Sequence, residues 1–371
     1  MDNEIQYVLR VQRELKNFNI SEVDSTDQGK AYSNFYKICI AIRDLFSLVT
    51  LLTLNRSKKF NFIYSGEGLC YKVDGKYRDR ILEDMALENL IYINRGRDTI
   101  ITSVNGIKMY NIGGGVKLLS FIFKFTNKKQ LSTYFAYKTI NGFILRLANN
   151  PDVYSLLYYN LNGLSLVFLK QKSKFKLIEV QHGTIINFPT YAKPSEIKIA
   201  DVFYVKNQET IKYLKEHLNK NFQEINYKLL PYPKSEAVDK KGKYILYAST
   251  VEFNGIHPVF LEYLNQLNKD NDITVFIRLH PREKDKIGLF KNQVKDTRAK
   301  IIFDESKNWL ESNQIKNLIV VSPWSSVIED AADNGYKAII LEELGKNRFA
   351  YLIDNKKVIF ADSLEKILVF I

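Results

Sequence analysis

Ile273-Thr274-Val275-Phe276-Ile277, followed directly by Arg278-Leu279-His280-Pro281-Arg282-Glu283, is the stretch that decides the fold. The first five residues have the length and β-branching of a strand buried on both faces of a parallel sheet. The polar run after them marks the strand's carboxyl end. Some forty residues on, Leu318-Ile319-Val320-Val321 repeats the pattern and leads into Ser322-Pro323-Trp324-Ser325-Ser326-Val327-Ile328-Glu329, the start of a helix ending near Gly335. Ala338-Ile339-Ile340-Leu341 follows as a third strand. Two strand ends therefore bring polar residues to one edge of a sheet, and open α/β sheets bind ligands beyond their strand carboxyl ends. A cation, an imidazole and two hydroxyls at a helix start suit a phosphate group.

Outward from this stretch, strands and helices alternate. Tyr244–Tyr247 is a strand, His257–Asn268 a helix, and Ser363–Phe370 a closing helix. In the first half the pattern predicts helices at Tyr7–Phe18, Tyr32–Leu54, Tyr77–Asn89, Leu118–Asn149, Ser165–Lys170 and Gln208–His217. Strands are predicted at Phe60–Tyr64, Leu90–Asn94, Thr99–Val104, Ile107–Ile112, Leu177–Val180 and Asp201–Val205, while Tyr154–Tyr159 fits either state. Gly113-Gly114-Gly115 reads as a flexible joint, since it lacks the GxGxxG spacing of a dinucleotide site. This is the doubly wound α/β pattern. A chain of 371 residues exceeds one ordinary core, so two domains are expected, 1–200 and 201–371.

Composition narrows the class. A hydrophobic share of 46% with 26% charged residues describes a globular chain. The two cysteines form neither a disulfide framework nor a metal site, and no signal peptide is visible, so a reducing cytoplasm is expected. Ile38–Leu54, the longest apolar run, is interrupted by Arg43 and Asp44 and suits a core helix better than a membrane span. The net charge of +13 is unevenly placed: residues 101–200 hold thirteen Lys/Arg against three acids, an excess of ten. Such a region either is a plain solvated face or attracts something anionic, whether a bilayer, an acidic glycan or nucleic acid; a peripheral contact with the inner face of the cell membrane is among the partners it suggests. No nucleic-acid motif accompanies the charge, so nucleic acid is not expected.

The candidate site residues follow from position. His280, at a strand end, can donate to a phosphate, and Pro281 turns the chain away from the sheet. Arg278 lies beside it. Ser325 and Ser326 can cap a bound phosphate in place of helix amides, and Glu329, one turn further in, can accept from a ribose. A plain capping box would also account for Ser326 and Glu329, though not for Ser325. Ser249-Thr250 ends the Tyr244–Tyr247 strand and can add a phosphate or base contact, or simply form a turn. His257-Pro258 repeats the dipeptide but opens a helix, a structural role. In the first half, Gln181-His182-Gly183-Thr184 ends a strand, and Gly183 permits close approach of a ligand. Glu67, in Ser65-Gly66-Glu67-Gly68, is a carboxylate held between two glycines at a strand end and suits a general base; Asp74 and Glu179 are its rivals.

Taken together and in order, Gln181–Thr184, Tyr244–Thr250, Arg278–Glu283 and Ser322–Gly335 resemble the bacterial GT-B transferases of surface polysaccharide assembly. These include sialyltransferases and polysialyltransferases, capsule Kdo transferases and CDP-glycerol glycerophosphotransferases. The resemblance covers mainly residues 177–341, about half the chain. It implies two Rossmann-like domains facing across a cleft, acceptor-binding first and donor-binding second. By that resemblance, His280, Ser325 and Ser326 contact the phosphate of a CMP- or CDP-linked donor, and Gln181, His182 and Gly183 lie on the acceptor side. Glu67 matches the Glu-Gly part of the sialyltransferases' acidic-acidic-Gly motif.

The expected activity is inverting sugar transfer, without metal or other cofactor, from a nucleotide-activated donor, CMP-linked, to a glycan or lipid-linked acceptor. Catalysis would involve Glu67, His280 and His182. No DxD-type metal pair stands at a strand end. Where polyol-phosphate enzymes have an acidic-aromatic pair before the serines, this chain has Pro323-Trp324, which places a CDP-polyol phosphotransferase second. A UDP-sugar-dependent transferase, a sugar-nucleotide epimerase and a non-catalytic binding protein are further alternatives.

Overall fold

The structure is a computed structural model. It describes residues 2–17, 34–51, 59–65, 70–73, 76–79, 85, 87–94, 103–104, 106–126, 128, 131–156, 159–181, 183–186, 197–217, 225–230, 242–251, 253, 255–267, 273–304, 315–354, 356 and 358–371. Two compact units emerge, Met1–Tyr232 and Pro233–Ile371. The division therefore falls about thirty residues beyond the position near 200 expected from sequence. Pairing explains the difference, because Val202–Val205 and Asn226–Leu229 extend the first unit's sheet in parallel register.

In the first unit the described strands are β1 (Asn61–Ser65), β2 (Cys70–Val73), β3 (Lys76–Asp79), β4 (Leu90–Asn94), β5 (Ser103–Val104), β6 (Ile107–Asn111), β7 (Asp152–Ser155), β8 (Lys176–Val180), β9 (Val202–Val205) and β10 (Asn226–Leu229). Their order is β10-β9-β8-β7-β1-β4-β6-β5-β3-β2. The span from β10 to β6 is parallel throughout, and antiparallel pairs occur only toward the β2 edge. One face buries Ile63, Tyr92, Met109, Tyr154, Ile178, Val180 and Val202 together. The helices are α1 (Asp2–Asn17), α2 (Asn34–Leu51), α3 (Gly113–Phe123), α4 (Ser132–Arg146), α5 (Leu161–Lys170) and α6 (Gln208–His217).

Three sequence expectations change here. Gly113-Gly114-Gly115 is the buried first turn of α3 and not a joint. The amide of Gly114 donates to the buried carboxylate of Asp44 on α2 at 2.5 Å, filling a need that every helix start leaves open. Part of Tyr77–Asn89, expected as helix, is strand β3, where pairing with β2 sets Tyr71 opposite Arg78 and Lys72 opposite Tyr77. Cross-strand pairing outweighs a weak helical period in so short a segment. The helix expected over Leu118–Asn149 is divided into α3 and α4. The Thr126 hydroxyl donates to the Phe123 carbonyl and accepts the Lys128 amide, a local side-chain bond that competes with helix continuation. Tyr154, left between strand and helix, lies in β7.

The second unit is the regular one. Strands β11 (Lys243–Ala248), β12 (Ile273–Arg278), β13 (Lys300–Phe303), β14 (Leu318–Ser322), β15 (Lys337–Ile340) and β16 (Val358–Phe360) form one sheet ordered β13-β12-β11-β14-β15-β16. Every pairing in it is parallel. Side chains alternate between two apolar layers. Ile245, Tyr247, Val275, Ile277, Ile319, Val321 and Ile339 meet Phe260, Tyr263, Phe290 and Ile367 on one face. Leu246, Ala248, Leu318, Val320, Ala338 and Ile340 meet Ile328, Ala331, Phe349 and Leu352 on the other. Burial on both faces is why the central strands β12 and β14 read as largely apolar runs rather than alternating ones.

Candidate functional site

Numbering the second sheet's strands from β11, their order is 3-2-1-4-5-6. That is the doubly wound arrangement whose topological switch point lies between the first and fourth strands, here β11 and β14, where the crevice for a ligand opens at the carboxyl ends. Ser249 and Thr250 follow β11, Ser322–Ser326 end and follow β14, and Arg278 with His280 ends and follows the neighbouring strand β12. Of the residues selected from sequence in this half, all stand on these three adjacent strand ends except Glu329, which is inside the following helix.

Short polar side chains fasten the three ends together. The buried Ser249 hydroxyl accepts the His280 amide at 2.7 Å and donates to the Glu283 carboxylate at 2.6 Å. Pro281–Lys286 forms a 3-10 helix, and the Glu283 amide closes onto the His280 carbonyl at 2.8 Å. On the other side, the buried Ser322 hydroxyl donates to the Ala248 carbonyl at 2.8 Å and accepts the Ser325 amide at 3.0 Å. The backbones carrying His280 and Ser325 are thus both tied to the end of β11. Thr250 is buried beside this bracing, and its hydroxyl oxygen has no hydrogen-bond partner among the described residues. A buried hydroxyl without a partner is costly in a finished core.

Ser325 and Ser326 are half-buried. Ser326 occupies the N-cap position of the helix Val327–Asp333 but has helical backbone angles, φ −60° and ψ −13°, and its side chain makes no capping hydrogen bond. The capping box open to Ser326 and Glu329 is therefore not formed, since a capping side chain needs an extended backbone to reach back over the helix end. Glu329 is fully buried and accepts the Tyr351 hydroxyl at 2.8 Å. Arg278 likewise turns to Asp304, at the end of β13, with 2.9 Å between charged atoms. Both side chains of this ion pair are mostly covered, so Arg278 anchors one strand end to the next.

His257 opens the helix Pro258–Gln266, with Pro258 in its first turn. It is buried, its amide donates to the Tyr247 hydroxyl at 2.8 Å, and its Nε2 lies 2.9 Å from Glu342 just after β15. Burial raises the Tyr247 hydroxyl far above the ordinary phenol range, partly offset by the His257 amide, so it remains protonated. The dipeptide His257-Pro258 opens a helix, as expected from sequence.

In the first unit, Gln181 follows β8, where it is buried and committed. Its Nε2 donates to the Gly183 carbonyl at 2.8 Å and its Oε1 accepts the Lys206 amide at 2.8 Å, which ties the ends of β8 and β9. A Cβ at Gly183 would meet no protein atom within 4 Å, so the described protein does not itself require glycine there. Glu179 is buried within β8. Glu67, with its neighbours Gly66 and Gly68, Asp74 and His182 lie outside the described residues; the strand before Glu67, β1, ends at Ser65. Among the described residues, no group of three or more His, Cys, Asp or Glu side chains is arranged to hold a metal ion. None of the described helices is long and apolar enough to cross a membrane.

No protein-family model matches the sequence, and no curated protein sequence matches it either. Solved structures do. A UDP-GlcNAc 2-epimerase from Neisseria meningitidis, bound to UDP-GlcNAc, aligns at a TM-score of 0.47 with 11% identity over 81% of this chain and 86% of its own. MurG of Acinetobacter baumannii aligns at 0.44 with 10% identity over 81% and 85%. The wall teichoic acid polymerase TagF aligns at 0.43 with 13% identity over 91% and 88%. Likeness at this level assigns neither residue roles nor a reaction. What places this chain in the α/β class is its own topology of two largely parallel sheets.

Sequence reading left out three groups that shape the site: Glu283, Ser322 and Asp304. A signal existed for two of them. Glu283 falls three residues after His280 and just past Pro281, a spacing that returns a side chain to the strand end. Ser322 closes an otherwise wholly apolar strand, where a polar residue must find a partner. Asp304 gave no such sign, because its pairing with Arg278 depends on β13 lying at the sheet edge.

Proposed function

We propose that this chain is a nucleotide-sugar-dependent glycosyltransferase of GT-B type, with the donor's phosphate held at the switch point of the second sheet. The observation that carries this reading is the convergence of His280, Ser325 and Ser326 on adjoining strand ends, braced through Ser249 and Ser322. Fixed hydrogen-bond donors aimed where charge develops are a large source of rate enhancement. An acceptor hydroxyl oxygen would attack the anomeric carbon of the sugar. The bond from that carbon to the phosphate oxygen would break, its electron pair leaving with the nucleotide. His280 and the two serine hydroxyls would stabilise the departing phosphate, and Glu67 would take the acceptor's proton.

The donor we favour is CMP-linked, of the sialic acid or Kdo kind, and the acceptor a glycan or lipid-linked glycan. Both follow from the motif resemblance in Arg278–Glu283 and Ser322–Gly335. The same reading requires no metal, so EDTA should leave turnover unchanged.

A donor panel tests the proposal. Purified protein incubated with an acceptor glycan should consume a CMP-sugar and release CMP. Turnover of CDP-glycerol with no activity on any CMP- or UDP-sugar would replace it with polyol-phosphate transfer. Interconversion of a UDP-sugar without any acceptor would replace it with epimerisation.

A further inference from the structure

Two neighbouring helices of the first unit carry large apolar side chains into solvent. On α2 they are Ile42, Phe46 and Val49, exposed by 48%, 67% and 55%. On α3 and its C-terminal turn they are Leu118, Phe121, Ile122 and Phe125, at 42%, 59%, 47% and 77%. The spacings, 42-46-49 and 118-121-122-125, each trace a single helical face. Phe121 and Phe125 touch edge to face with ring centres 5.1 Å apart. Single exposed apolar residues are ordinary, but a stripe on each of two packed helices is not. The opposite side of each helix is well used. Asp44 of α2 binds the Gly114 amide of α3, and α3 buries Gly113 through Val116 and Ser120. The outward stripes are therefore a second, separate face of helices already fixed in the fold.

Exposed charge on the helices that carry the stripes is of one sign among the described residues. Residues 34–51 and 113–146 contain one acid, Asp44, and it is buried against Arg43 and Gly114. The same segments supply Arg43, Lys117, Lys124 and Lys128 among others, with Lys124 exposed. Lys128 lies over the Phe123 and Phe135 rings at 4.9 and 5.0 Å, its charged end resting on aromatic faces. A second copy of this chain would bring the same positive charge to a shared interface and be repelled. An apolar stripe with a basic border and no exposed carboxylate instead complements a bilayer of anionic lipid: aromatic side chains enter the acyl boundary and lysines meet the headgroups.

We propose that α2 and α3 form a membrane-docking face that seats Phe46, Phe121 and Phe125 in the surface of an anionic phospholipid bilayer. This differs from a purely electrostatic attachment by the basic region, because the apolar insertion survives salt that screens the lysines.

Co-sedimentation of the full chain with phosphatidylglycerol–phosphatidylethanolamine vesicles tests it, with phosphatidylcholine vesicles as control. The parent should bind the anionic vesicles preferentially and keep a measurable fraction bound at high salt. Joint replacement of Phe46, Phe121 and Phe125 by Ser should reduce partitioning by roughly tenfold or more, as loss of buried apolar area implies. Melting temperature should not fall, because those three side chains are exposed. Phe125→Trp adds an independent readout, since its emission should be quenched by lipids brominated on their acyl chains. The proposal is overturned if the triple variant partitions like the parent, if Phe125→Trp is not quenched, or if the variant merely converts a vesicle-indifferent dimer into monomers. Nucleotide binding at the second unit should be unchanged in the triple variant, so this test and the donor assay fail separately.

Discussion

The Ser249 hydroxyl accepts the backbone amide of His280 at 2.7 Å, and so fixes the backbone that carries this imidazole at the second sheet's switch point from the neighbouring strand. The same hydroxyl donates to Glu283, three residues further along the His280 turn. One buried oxygen thereby holds both ends of the turn on which the candidate phosphate donor sits. Ser249→Ala should lower stability by about 1–3 kcal/mol, because it leaves a buried carboxylate and a backbone amide short of a partner. It should also weaken nucleotide binding, since the His280 turn loses its tether. Urea unfolding and calorimetric titration of the same variant measure the two effects; a stable variant with parental affinity would remove Ser249 from the account.

His280→Ala is expected to behave differently. The imidazole is half-buried, and the turn's tether runs through the backbone amide, which the substitution keeps. Turnover should fall by on the order of a hundredfold or more while the melting temperature changes little, as for loss of a charge-stabilising donor. Near-parental kcat would exclude His280 from the chemistry.

Gly345 provides a steric test from behind the serine turn. A Cβ there would lie 2.3 Å from the Pro323 carbonyl oxygen and 2.6 Å from Ile340 Cγ2. Pro323 is backbone in the segment that carries Ser325 and Ser326, so it cannot yield as a flexible side chain would. Gly345→Ala should cost about 1–3 kcal/mol as overpacking and reduce nucleotide affinity without touching a ligand. A melting curve and a titration check this together, and a variant with unchanged affinity would show the turn to be insensitive to its support.

The acid side of the stability curve is set in part by Asp201. Burial acts to raise its carboxyl, but the hydrogen bond from Lys170, the Leu177 amide and the charges of Lys170 and Lys198 outweigh it and hold the group below its ordinary range. A depressed carboxyl contributes stability that is present above the unfolded-state value and lost as pH falls through the folded one. Asp201→Asn should therefore destabilise most near neutrality, and its difference from the parent should shrink as pH drops below about 4. Denaturant titrations at several pH values decide this; a difference that grows on acidification would contradict it.

The central strands of the second unit were legible because they are buried on both faces, whereas the partly exposed edge strands β13 and β16 were not read from sequence. Ile273–Arg278 and Leu318–Ser322 announce themselves as unbroken apolar runs, and their polar ends follow directly. The first unit was harder where local pattern and tertiary pairing disagree. Gly113-Gly114-Gly115 has the composition of a joint, yet a carboxylate seventy residues earlier makes it a helix start. Val202–Val205 gives no sign of which sheet it joins, and that choice sets the boundary between the units. At the site, residue type and position indicated His280, Ser325 and Ser326. Neither could show that Arg278 is taken up by Asp304 or Glu329 by Tyr351, because those partners come from other strands and helices.

The central claim is that a nucleotide's phosphate is gripped at the ends of β11, β12 and β14. A thermal-shift series with CMP, CDP, UDP and GDP, on the parent and on a variant with His280, Ser325 and Ser326 all changed to Ala, tests it most directly, because a ligand that binds only the folded chain raises its melting temperature. The account predicts a rise of several degrees with a cytidine nucleotide in the parent and almost none in the variant. A parent unmoved by all four nucleotides, or a variant that responds as strongly as the parent, would contradict it.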